Sequence, residues 1–123
     1  VEKVIHSFEQ RIEEMKAKRK ALSYDLQRQL FDHYAFLNAH GQSKDLNTIF
    51  EIAIQGPPPS GAGECAAPKL LQYAFQNNMK PIALSEFWWG LSPKSDTWKH
   101  KHFYDPCKEK CEPILEHMLQ GID

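Results

Sequence analysis

The sequence predicts an α+β domain: a long N-terminal helix, then a β-hairpin and a small sheet packed with helices. Three observations predict it. Apolar residues recur at steps of three and four from the N-terminus to about His33. A stretch of alternating apolar residues around a Gly turn follows between residues 34 and 54. Two later helical stretches, one with Pro68 in its first turn and one opening at Pro113, flank an aromatic run at 82–89. A chain of 123 residues holds one compact domain and hardly two. Fifteen Lys and Arg against sixteen Asp and Glu argue against a strongly basic, non-specific nucleic-acid binder and against an acidic disordered tail. Hydrophobic residues make up 41%, enough to fold most of the chain, yet no apolar run approaches a membrane span. The chain begins at Val1 without an initiator Met, as expected of a processed chain or a piece of a longer protein.

The first part, residues 1–33, reads as one heptad-like helix. Ile5, Phe8, Ile12, Met15, Leu22 and Leu26 form its seam, and Arg19 breaks it. Such a helix outreaches a small domain, so part of its stripe is expected to meet a second copy, giving a homodimer, or another part of the protein. The cluster Lys16 to Lys20 reads as a solvated face paired with Glu13 and Glu14, in preference to an RNA-binding arm.

The second part, 34–123, is expected to be the small α+β domain. Tyr34 to Ala39 and Asp45 to Ile54 around His40-Gly41-Gln42 suggest the two strands of a hairpin; a helix capped by Ser43 is the competing reading. The Pro/Gly-rich loop 56–63 is either a linker or an ordered loop that delivers the next helix. That helix is expected from Glu64 to about Asn78, with Pro68 in its first turn and Leu70, Leu71, Ala74 and Phe75 on one face. Lys80 to Gly90 reads as a central strand, and Leu91 to His102 as irregular. A short turn at Cys107 to Cys111 then precedes a helix from Pro113 to Gln120, ended by Gly121.

The three cysteines mark the starts of two helices. Cys65 opens one; Cys107 and Cys111, one turn apart, open the other. A helix start favours thiolate, and if the two starts lie side by side the three sulfurs can converge on one zinc ion. His102 is the first choice to complete a tetrahedron, then His100; His117 lies on the far helix. The bland reading is three ordinary, partly buried cysteines. An odd number of cysteines does not suggest a secreted disulfide framework, and a strained one-turn Cys107–Cys111 bridge is the least favoured option. A cytoplasmic location is expected, with no signal-peptide pattern visible.

A second constellation couples Trp88 and Trp89 to Lys94, Trp98, Lys99 and Lys101. Aromatics interleaved with cations can stack bases and hold phosphates, so Trp89, Lys94, Lys99 and Lys101 are the candidate RNA contacts. The competing reading puts one tryptophan in the core, because neighbours on a strand face opposite ways. A phosphate-binding glycine loop is absent, since Glu64 follows Gly61-Ala62-Gly63. No nucleophile elbow or His-Glu-x-x-His occurs.

The order of elements resembles the front part of the cytidine deaminase-like fold, in which a His or Cys opens one helix, a Pro-Cys pair opens the next, and all bind zinc. The resemblance implies a scaffold and a structural ion. It does not imply deamination, because the position of that fold's catalytic Glu is Ala67 here. Glu64, one residue before Cys65, is the acid–base candidate if the chain is nonetheless a zinc-dependent hydrolase.

The segments GAGECAAPKLLQYA, EFWWG-x-SPK and Cys-x3-Cys-Glu-Pro-Ile-Leu, with the preceding FLNAHGQSKDLNTIF and the long charged helix, resemble a block upstream of the catalytic domain in large bacterial RluA-type RNA pseudouridine synthases. This implies a full-length protein that isomerises uridine to pseudouridine in RNA. The family's catalytic Asp lies in a His-Arg-Leu-Asp motif found nowhere in these residues, so no catalytic residue carries over. An accessory, non-catalytic role beside a synthase domain of the same polypeptide is what remains.

Overall fold

The computed structural model describes all 123 residues. Helix α1 (Glu2–His33) is 32 residues long, so it extends about 48 Å, and none of its residues is buried. Its seam lies open: Ile5, Phe8, Ile12, Met15, Leu22 and Leu26 are each at least half exposed. Only its last turns touch the rest of the chain. There Phe31 packs on the core, and the Asn47 side-chain amide donates to the Arg28 carbonyl (3.0 Å) and the Asp32 carboxylate (2.6 Å). In the basic cluster Lys16 pairs with Glu13 at 3.0 Å on an exposed face. No helix is long and apolar enough to cross a membrane.

A short hairpin follows: β1 (Ala35–Leu37) pairs antiparallel with β2 (Ser43–Asp45), with Phe36 opposite Lys44. Asn38 is 1% exposed and closes the turn, its side-chain oxygen accepting from the His40 and Gln42 N–H groups. The strand expected over Asp45–Ile54 is corrected to helix α2 (Leu46–Ile54). Its cap is Asp45, not Ser43: the carboxylate accepts from the Thr48 N–H at 3.0 Å and the Thr48 hydroxyl at 2.6 Å. A strand would place Thr48 on the same face as Leu46 and Phe50 and turn Ile49 away. A helix gathers Leu46, Ile49 and Phe50 on one buried face and leaves Ile52 and Ile54 outside.

The proline-rich segment is an ordered loop, in which Pro58, Ala62 and Gly63 are buried. It delivers α3 (Ala66–Gln76), capped by Cys65 and with Pro68 in the first turn. Asn77 ends the helix and Asn78 turns left-handed, with φ of 55°. The central strand expected over Lys80–Gly90 is also corrected. Only β3 (Glu86–Phe87) pairs as a strand, with β4 (Phe103–Tyr104), and Trp88 adds a single bridge to His100. Pro81 offers no N–H to a ladder, and Ile82 is 97% exposed, so the apolar residues before Glu86 find no sheet to enter. The two ribbons stay separate, and the deaminase-like scaffold finds no support in them, although the α+β class stands. Helix α4 (Glu112–Met118) closes the fold after a turn over the residues around 108–111.

The core lies between α2, α3, α4 and β1. Phe36, Leu46, Phe50, Ala62, Ala67, Ile114 and Met118 are its most enclosed members. Buried His117 reaches from α4 to the Phe36 carbonyl, Nε2 to O 2.9 Å, while its buried Nδ1 meets no partner.

Candidate metal centre and aromatic–basic loop

The helix starts bring Cys65 and Cys111 within reach of one another, and Cys107 precedes Cys111 by one turn. Cys111 caps α4 and is 1% exposed; Cys65 caps α3 and is half-buried. Cys107 sits one turn before Cys111, its carbonyl accepting from the Cys111 and Glu112 N–H groups, both at 3.0 Å. Helices α3 and α4 pack on each other, and the Cys65 and Cys111 side chains at their starts interact. Burial, a hydrogen-bonding contact with the Cys65 thiol, and the nearby Cys107 and Glu86 push the Cys111 thiol up to about 12. All three thiols are free. As the side chains stand, no group of three or more His, Cys, Asp or Glu residues is arranged to hold a metal ion.

Two partners of this cluster lay outside the sequence reading. Glu86, on β3, is 8% exposed and accepts from the Ala67 N–H at 2.8 Å, supplying the N-terminal cap that the Cys65 side chain does not. Tyr104 stands opposite it on β4. Burial, Glu86, Cys65 and Cys111 together raise the Tyr104 hydroxyl above its ordinary range. The signal for both was weak: Glu86 precedes an aromatic run and looks like an exposed strand end until β3 and β4 are paired.

The candidate histidines stand differently. His102 is exposed; its carbonyl accepts from the Trp88 N–H, and its ring makes no hydrogen bond to a thiol. His100 is committed to its own loop, where Nδ1 accepts from the Gly90 N–H at 3.0 Å. His117 is held at Phe36. Glu64 points outward to Lys69, at 2.9 Å, rather than toward the sulfurs.

The second constellation lies along β3, β4 and the loop between them. Trp88 is half-buried and stacks on Trp98, ring centroids 5.7 Å apart. Its indole N–H donates to the Leu91 carbonyl, which ties the loop back on itself. Trp89 is 70% exposed, so neither tryptophan belongs to the core. Around Trp89 gather Phe87 at 6.4 Å and the His100 ring at 4.8 Å, with Lys101 Nζ 5.6 Å over the indole. Phe103, 71% exposed, extends the face through an edge contact with Phe87. Lys94 and Lys99 are exposed on the same loop. Phe87 and Phe103 were missed as candidates; strand alternation from Trp89 back to Phe87 is the signal that finds the first of them.

Comparison with protein-family models, with curated proteins and with solved structures finds no match to this chain.

Proposed function

We propose that this chain is a non-catalytic accessory domain of an RNA pseudouridine synthase and that it contributes to RNA binding. The sequence resemblance supplies the enzyme class. The observation that supports a binding role is the solvent-facing aromatic face of Phe87, Trp89 and Phe103, with Lys101 over the indole and Lys94 and Lys99 nearby. Soluble domains rarely leave such rings uncovered without a partner. Flat rings bordered by ammonium groups suit unpaired bases on a phosphate backbone.

The test is fluorescence anisotropy of the whole chain with a single-stranded, uridine-containing RNA at several salt concentrations. Trp89→Ala is expected to weaken binding by roughly five- to a hundredfold, the range for loss of one stacked base. Lys99→Ala is expected to lower the salt slope by about one. Binding that is absent, or unchanged in Trp89→Ala, would refute the RNA role.

A second reading has its own observation. Helix α1 buries none of its residues although its seam repeats like a coiled coil. It fits a module that docks on a synthase domain or dimerises through α1. A dimer in sedimentation that disappears when residues 1–30 are removed would favour it.

A further inference from the structure

We infer that α1 pairs with α1 of a second copy of this chain, antiparallel, in the register that sets Met15 against Leu26 and Arg19 against Leu22 of the second copy. The inference rests on the reading of α1 as a dimerising helix and adds its direction and register. Three observations bear on it. The first is which side of α1 is free. Tyr24, Gln27, Arg28 and Phe31 line a groove with Asn47, Pro57 and Pro58, so this side of the helix faces the domain. At about 100° per residue, Leu22, Leu26 and Leu30 fall on the opposite side, and they stay 58–61% exposed. A second helix can therefore follow the seam to the end of α1 without meeting the domain.

The second is charge. Counted in heptads along the seam, Arg11, Lys18 and Asp25 lie on one flank, and Glu9, Lys16 and Ser23 lie on the other. No ion pair within the chain engages Arg11, Lys18 or Asp25. A parallel pair would set Arg19 against its own copy in the seam and Arg11 beside Lys16 on both flanks. The antiparallel register sets Lys18 across from Asp25 on both flanks and brings Arg11 toward Asp32, and no like charges face each other across the seam. Sliding the helices by one heptad into fuller overlap would instead stack Lys16 on Lys16 and Lys18 on Lys18. The third is area. Phe8, Ile12, Met15, Leu22 and Leu26 are each at least half exposed. In two copies these side chains bring together roughly 1,000 Å² of apolar surface, the scale of a transient interface. The pair is therefore expected at high protein concentration and comes apart at the few micromolar of a thermal melt.

The test is sedimentation of the reduced whole chain from about 1 µM to about 1 mM at low ionic strength. The expected result is a monomer that becomes a dimer as concentration rises, and a weaker dimer in Leu22→Ala. Lys18→Glu and Asp25→Lys should each weaken the dimer by about tenfold. The two changes in one chain should restore it, because each pair re-forms with its signs exchanged. In a parallel dimer Lys18 would face Ser23 and Asp25 would face Leu30, so the double change would not rescue either single one. Circular dichroism checks that each variant keeps its helical content. Lack of rescue in a chain that still dimerises would overturn the direction and register while leaving a dimerising α1 in place. A parent chain that stays monomeric at the highest concentration would overturn both.

Discussion

Gly63→Ala should destabilise this protein far more than an ordinary loop substitution, and the geometry says by how much. Gly63 sits two residues before Cys65 with φ of +81°, a left-handed conformation that costs an L-residue about 1–2 kcal/mol. A Cβ there would lie 2.8 Å from Phe36 Cζ and 3.0 Å from Tyr34 Cε1. Neither atom is the far end of a flexible chain. Phe36 is 2% exposed, and the Tyr34 ring packs on it at 4.6 Å while its hydroxyl donates to the Gly63 carbonyl at 2.9 Å. Forcing these rings apart adds about 1–3 kcal/mol of overpacking. The total is roughly 2–5 kcal/mol.

Gly41 isolates the backbone part of that cost. Its φ is +79°, and a Cβ there meets nothing within 4 Å. Gly41→Ala should therefore cost only about 1–2 kcal/mol. For 123 residues, each kcal/mol moves the thermal midpoint by roughly 4 °C. Unfolding followed by circular dichroism should place Gly63→Ala about 8–20 °C below the parent and Gly41→Ala about 4–8 °C below it. Equal losses in the two variants would refute the claim that the rings close over Gly63.

Other substitutions probe other parts of the fold. Phe50→Ala removes a wholly enclosed ring and should cost about 3–5 kcal/mol in urea unfolding. Burial alone would raise the Asp45 carboxyl, but hydrogen bonds from the Thr48 side chain and backbone outweigh it and hold the group below its ordinary range. Its cap therefore adds stability above the usual carboxylate range and loses it as pH falls through the lowered value. Asp45→Ala should cost about 1 kcal/mol at neutral pH, and that difference should fade in strong acid. Removing residues 1–22 should reduce helical content yet move the midpoint by no more than about 2 °C, because α1 buries no residue. A larger drop would mean that α1 has a partner in solution.

Long-range features were legible where local chemistry marked them. The helix to His33, the start of α3 just before Pro68, and the turn before α4 all carry capping or periodic signals, and the structure has each of them. The segment 45–54 misled because its residues alternate and also satisfy the helical spacing of Leu46, Ile49 and Phe50; the Asp45 cap decides between the two readings. The segment 80–90 misled because its apolar residues suggest a buried strand, whereas burial depends on a partner strand that only Glu86 and Phe87 obtain. The meeting of Cys65 with Cys111 could be anticipated from their places at helix starts. Glu86 could not, because its role exists only across the contact between β3 and α3.

The contact between His117 and Phe36 has a use beyond packing. A carbonyl can only accept, so Nε2 owns the imidazole proton and the ring is locked in a single tautomer. The nitrogen resonances of that ring are therefore a built-in reporter of whether the last helix is seated on the first strand, two elements joined across 81 positions of sequence. Detachment would free the ring to exchange tautomers in water, and the pair of signals would converge before any global melting is seen.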